Sequence, residues 1–239
     1  MKINKFIIIL VLISLYSGFV FPQTKKVSFS QQNKNSKYIS FSFGMGVNYG
    51  DNSSLVNFVG YELPFYNTLS PADKLSNFSA GFEGFAGVEF QIKKSYSIKV
   101  EYSYFSKSIS LTSLAQYQNY EFNYVSHQPF ITAFYIIPQE YSYIKLGFGA
   151  GFIHSIFTTK IYNAGIDYSS NGIGLKLNAI LDVQISKNLA GYIEGYINKS
   201  FQGNLKDDSG NLLISRNGDN VNLNIFGLGM RLGAEFIIF

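Results

Sequence analysis

Alternation with a period of two governs this chain and limits its fold more than any other feature. In YISFSFGMGVNY, residues 38–49, Ile39, Phe41, Phe43, Met45 and Val47 share one parity. Ser40, Ser42, Gly44, Gly46 and Asn48 share the other. Successive strand side chains point to opposite faces, so this segment is a ribbon with one greasy and one small or polar face. Three further runs repeat the pattern. Phe82, Ala86, Val88 and Phe90 oppose Glu83, Gly87, Glu89 and Gln91. Tyr96, Ile98, Val100, Tyr102 and Tyr104 oppose Ser97, Lys99, Glu101 and Ser103. Phe226, Leu228, Met230, Leu232, Ala234 and Phe236 oppose Gly227, Gly229, Arg231, Gly233 and Glu235.

The same period decides what the glycines of KLGFGAGFIHS, residues 145–155, are for. Gly147, Gly149 and Gly151 lie on one face of a continuous strand, opposite Leu146, Phe148, Ala150 and Phe152. A nucleotide-binding glycine loop needs a turn between strand and helix, and no helical pattern follows. Glycine on the inner face of a narrow barrel relieves crowding.

Strands are expected at about 38–49, 79–91, 96–109, 120–137, 142–154, 171–185, 189–198 and 221–238. Residues 120–137 show no clean parity, which predicts a bulge or parity switch near Pro129. Short links, IKKS, PQEY and SKN, alternate with long ones at 50–78, 110–119, 155–170 and 199–220. Short turns on one side and long loops on the other predict an eight-stranded antiparallel up-and-down transmembrane β-barrel, with periplasmic turns and extracellular loops.

Composition and the N-terminus agree. Aromatic residues make up 17% of the chain and charged residues only 14%, well below the quarter usual in soluble domains. Lys2 and Lys5 precede an apolar stretch, Phe6 to Phe21, of the length of a secretory signal and shorter than a spanning helix. Residues 1–23 are expected to be a signal peptide, 24–37 a polar periplasmic lead-in and 38–239 the barrel. With no cysteine, neither a disulfide framework nor a thiolate metal site can form. The formal charge of +4 is scattered without a basic stripe, which argues against nucleic acid.

The ending GLGMRLGAEFIIF and the glycine- and aromatic-rich strands resemble the small outer-membrane β-barrel proteins of Gram-negative bacteria. YVSHQPFITAFYII together with YIKLGFGAGF is similar to the porin-like barrel family common in the Bacteroidota. That resemblance implies outer-membrane localisation, partners in outer-membrane lipid, lipopolysaccharide and the barrel assembly machinery, and an assembly signal ending at Phe239. Positions in phase with Phe239 include Glu235, Gly233 and Arg231, so the greasy face runs one residue out of step with it.

In such a barrel the greasy faces meet lipid. Glu83, Glu89, Glu101, Asp182, Glu194 and Glu235 then face Lys99, Lys145, Lys176 and Arg231 in a lumen plugged by side chains. Tyr49, Tyr96, Tyr104 and Tyr141 are expected as interface girdles. His154 and Ser155 invite a catalytic reading, but adjacent strand residues point to opposite faces. No enzyme, cofactor or metal site is read. Asp207, Asp208 and Asp219 lie in LKDDSGNLLISRNGDN, where SG and NG mark turns of a loop hairpin extending the seventh and eighth strands. The apolar first loop, with Val56, Phe58, Val59, Tyr61, Leu63, Phe65 and Tyr66, is expected to cover the barrel mouth. Loops 50–78 and 199–220 are where an extracellular ligand or partner would bind.

The reading is a structural or surface-interaction barrel; the alternative is a narrow channel or secretion-accessory barrel, and behind it stand a lipid-modifying enzyme and a soluble lipocalin-like ligand binder. The last requires the greasy faces to line a cavity.

Overall fold

A computed structural model describes residues 38–62, 80–113, 118–139, 142–161, 164–215 and 217–238. Among these residues eight strands are present: β1 (Ile39–Asp51), β2 (Ala80–Lys93), β3 (Tyr96–Ser113), β4 (Gln118–Pro138), β5 (Ser142–Ile161), β6 (Ala164–Gln184), β7 (Leu189–Gln202) and β8 (Phe226–Ile238). A helix, α1 (Ser53–Glu62), follows β1 directly. Each strand pairs antiparallel with its sequence neighbour, and β8 pairs back to β1, so the sheet closes without a free edge.

The register fixes the barrel's dimensions. From Ile39 the partners run Phe90, Ile98, Ala133, Phe148, Leu177, Ile197 and Leu228, and return to β1 at Tyr49, ten residues above the start. With strands about 4.8 Å apart rising about 3.3 Å per residue, that stagger gives a tilt of about 40° and a backbone radius of about 8 Å. Such a radius leaves room inside for side chains only.

The apolar parities face outward. Phe41, Phe43, Met45, Val47, Leu175, Leu177, Met230 and Leu232 are all exposed, and Val47 is 63% accessible. Tyr49, Tyr96 and Tyr104 are exposed as well, and Tyr141 lies outside the described residues.

Three sequence expectations are corrected. First, β4 carries no bulge at Pro129: its register with β3 runs unbroken through Tyr102↔Pro129, and with β5 it is the same either side of Pro129. Pro129 is exposed on the outer face, where its missing N–H interrupts the ladder without shifting it. The register shift instead lies in β2, between Gln91 and Lys93. Second, most of 110–119 and 155–170 is strand. β3 and β4 are paired out to Ser113↔Gln118, and β5 and β6 out to Ile161↔Ala164. Third, β8 begins at Phe226, because 221–225 form isolated bridges and single hydrogen bonds.

Several inward glycines stand opposite inward rings. A Cβ on Gly229 would overlap the ring of Tyr196, and one on Gly147 the ring of Phe134. In KLGFGAGFIHS, Gly147 and Gly151 are therefore notches for Phe134 and Phe130 of β4, while Gly149 makes room for Thr132.

Candidate functional site

The lumen is built in layers, each set by positions two or four residues apart on the inward parity. At the end that holds the short turns, Lys145 Nζ lies 3.1 Å from Glu89, 3.1 Å from Asp182 and 3.0 Å from Glu235. The Ser40 hydroxyl donates to Glu235. Next comes an apolar layer of Phe85, Phe134, Ile180 and Tyr192, packed as one buried cluster. Gly233, between Glu235 and Arg231 on β8, is where the Tyr192 ring fits.

The second charged layer centres on Arg231. Its Nε donates to Glu83 at 3.0 Å and its Nη1 to Glu101 at 2.5 Å, with Glu194 at 3.5 Å. Its Nη2 also pairs with Glu83 and lies 3.0 Å from the Ser103 hydroxyl. Lys99 lies 2.6 Å and Lys176 3.0 Å from Glu101. The guanidinium sits between the rings of Phe85 and Tyr196, 4.7 and 4.6 Å from their centres, a favourable cation–π arrangement in a dry site. All ten lumen residues named from the sequence are thus buried, and they form two groups on either side of an aromatic septum. Phe239 lies outside the described residues.

Beyond Arg231 a small cavity of about 20 Å³ opens, lined on one side by polar groups including Asn48, Gln128 and Asn198 and on the other by Phe105, Ile153 and Ile225. That is room for about one water molecule.

Above it the character of the interior changes. Phe105, Tyr120, Phe122, Tyr124 and Phe157, from the inward faces of β3, β4 and β5, form a hydrophobic core with Leu55, Phe58 and Val59 of α1. Spacing of three and four puts those helix residues on one face. The Asn52 side chain accepts from Leu55 N at 3.0 Å, which caps the helix, and donates to Asn222 O at 3.2 Å. This α1 part of the first loop covers the mouth; residues 63–79 lie outside the described residues.

The segment after β7 completes the cover. It first pairs with 221–225 as a continued hairpin, then winds through two turns of eight residues. Leu205, Leu213 and Val221 are all buried, and their backbones bond in a ring, with 2.9 Å from Leu205 N to Val221 O, Val221 N to Leu213 O and Leu213 N to Leu205 O. Gly210 and Gly218 hold the two equivalent corners at φ 84° and 85°, where a side chain would be strained. The octad escaped sequence reading, although its signal is there: leucine, leucine and valine stand eight apart, and each leucine is followed five residues later by glycine.

Asp207 belongs to the first corner. Its carboxylate accepts from Ser209 N and Asn211 N at 2.9 and 2.8 Å, and from the Asn211 side chain at 2.9 Å. These bonds, that from the Asn211 side chain foremost, hold its pKa below the ordinary value. No group of three or more metal-type ligands converges among the described residues. His154 and Ser155 separate as strand geometry requires. Ser155 points inward, bonded to Ser126 at 3.1 Å and Tyr124 at 3.0 Å, while His154 bonds Asn171 on the outer face.

No protein-family model matches this chain, and no curated protein matches it in sequence. Among solved structures it is similar to a major outer membrane protein from Thermus thermophilus, at 14% identity and a TM-score of 0.52, covering 84% of this chain and 99% of that one. It also matches Neisserial surface protein A, at 11% identity and a TM-score of 0.46, over 85% and 99% of the two chains. A third match is the outer membrane protease OmpT of Escherichia coli, at 11% identity and a TM-score of 0.44, over 90% and 100%. At these identities the likeness is one of fold: a closed barrel of antiparallel strands.

Proposed function

We infer that this chain is an integral outer-membrane barrel with a side-chain-filled lumen, and that its role is structural or surface-interacting, carried by the folded cover at its mouth. One observation carries this reading: the polarity of the barrel is inside out. Charged residues are buried in the lumen, and the apolar parities form a belt around the outside. From Ile39 to Tyr49 that belt climbs about 25 Å along the axis at the tilt set by the register, the height of the apolar band on outer-membrane barrels. In water such a surface would far exceed what a monomer exposes. A soluble ligand-binding barrel needs those side chains inside, and they are outside.

The turns then lie on the periplasmic side, and the covered mouth, with loops 50–78 and 199–220, faces the exterior. The signal peptide at 1–23, contact with lipid and lipopolysaccharide, delivery by the assembly machinery and placement among the barrels common in the Bacteroidota rest on the sequence pattern. The aromatic septum and the two ion-paired layers favour a sealed lumen over a channel. The opposed directions of His154 and Ser155 favour a non-catalytic protein.

Gel mobility of outer-membrane fractions, with and without boiling, tests the membrane reading. The expected band runs faster unboiled and survives carbonate washing; a soluble band indifferent to boiling contradicts it. Planar bilayers test the seal: no unitary conductance is expected, and stable channel openings would favour the narrow-channel alternative.

A further inference from the structure

On the outer face, His127 of β4 and His154 of β5 are directly paired across the strands. Their rings stack with centres 6.2 Å apart and planes 26° from parallel. Each ring is held by its Nδ1: that of His127 lies 2.6 Å from the Tyr102 hydroxyl, and that of His154 lies 2.7 Å from Asn171 Oδ1. An amide oxygen only accepts, so this contact suits the tautomer with the proton on Nδ1, in which the Nε2 lone pair is free. The Tyr102 hydroxyl can donate or accept, so His127 can adopt the same tautomer without losing its partner. Tyr104 packs edge-on against His127 at 5.5 Å from the β3 side. The row Tyr104, His127, His154, Asn171 thus crosses four strands.

We propose that His127 and His154 form a bidentate surface site for a borderline divalent transition-metal ion such as Zn²⁺, Ni²⁺ or Cu²⁺. Imidazole suits these ions, and a ligating histidine characteristically gives its other ring N–H to an oxygen acceptor, the role Asn171 fills here. Two imidazoles bound at about 2.0–2.1 Å to a tetrahedral ion have ring centres about 5 Å apart. From 6.2 Å the centres must close by about one ångström and the rings must turn until both Nε2 lone pairs point at the ion, movements that side-chain rotation can supply. Two protein ligands leave the remaining coordination positions to water. Row and site lie just below the level at which the outward face turns polar. Below the row stand Phe152 and Ile173; directly above it stand Val125, Ile156 and Ser169, and one step higher Asn123, Thr158 and Asp167.

The test uses tag-free full-length protein in detergent micelles, titrated calorimetrically with Zn²⁺ and examined with Cu²⁺ by electron paramagnetic resonance. Saturable uptake of one equivalent is expected, with a Cu²⁺ spectrum showing two coupled nitrogens. His154→Phe and His127→Phe each keep an outward aromatic ring and should weaken uptake at least about tenfold, leaving one coupled nitrogen at most. Asn171→Ala, which removes only the positioning partner, should weaken it by about 10- to 100-fold. Unboiled gel mobility of each variant shows that the barrel is intact. Absence of saturable uptake by the unaltered protein, or uptake unchanged in His154→Phe, overturns the site.

Discussion

The membrane barrel and the cover above its mouth are built from the same strands with opposite polarity. Low on β3 the inward positions are Ser97, Lys99, Glu101 and Ser103, and the outward ones Tyr96, Ile98, Val100, Tyr102 and Tyr104. Higher on the same strand the inward positions include Phe105 and Ile109, packed on the core of the cover, and the outward ones are Ser106, Ser108 and Ser110. The parity never slips; the solvent outside it changes. Where the surround is hydrocarbon the chain turns its charges inward, and where the surround is water it builds an ordinary hydrophobic core. The fold is thus one sheet serving two media.

The largest effect that could break this comparison is removal of the lumen's central cation. Arg231→Met leaves Glu83, Glu101 and Glu194 facing one another in a dry site. It should destabilise the barrel by about 3–5 kcal/mol in reversible urea unfolding from vesicles. A change below about 1 kcal/mol would mean the lumen is hydrated and open. Leu205→Ala, in the core of the cover, should cost about 2–5 kcal/mol locally. Its signature is faster proteolysis of 203–225 with unboiled gel mobility unchanged; loss of that mobility would show that cover and barrel are one cooperative unit. One residue along β8 from Arg231 but on the other face, Leu232→Arg places a charge in the lipid belt and should cost about 2–4 kcal/mol. A stabilising Arg231→Met, or a neutral Leu232→Arg, would contradict the inside-out assignment.

The smallest effect is at Asp207. Its lowered pKa means that the bonds to Ser209 and Asn211 stabilise the corner at neutral pH and persist below the ordinary aspartate range. They are lost as pH falls through the folded-state value. The amide resonances of Ser209 and Asn211 should therefore titrate in acid, and cease to do so in Asp207→Asn. The same titration in the variant would assign it to another group.

This reversal also explains what the sequence made legible. On β1 and β8, which stay almost wholly within the apolar belt, alternation alone gives every face correctly, down to Arg231 in and Leu232 out. On β4 the outward set is Asn119, Glu121 and Asn123 above, and Ile131, Ala133 and Tyr135 below. The inward set carries Phe122 and Tyr124 above, and Phe130 and Phe134 below. No single greasy parity exists there, because hydrophobicity changes faces along the strand and because Gly147 and Gly151 admit the rings of Phe134 and Phe130 into the lumen. The strand ends at 155–161 and 164–170 were hidden for the same reason: their outward polarity reads as loop. The pairing of charges into two layers depends on register across strands, and the folded octads depend on contacts among segments that carry no alternation.

Because the chain contains no cysteine, single introduced thiols report their surroundings without background. The most direct test places one cysteine at a time along the outward parity of β5, at Leu146, Phe148, Phe152, Thr158 and Lys160. Each variant is refolded into vesicles and exposed to a membrane-impermeant maleimide. Protection at the first three positions and rapid labelling at the last two is the predicted result. Equal labelling at all five would contradict the membrane belt, and equal protection would contradict a sheet that rises into water.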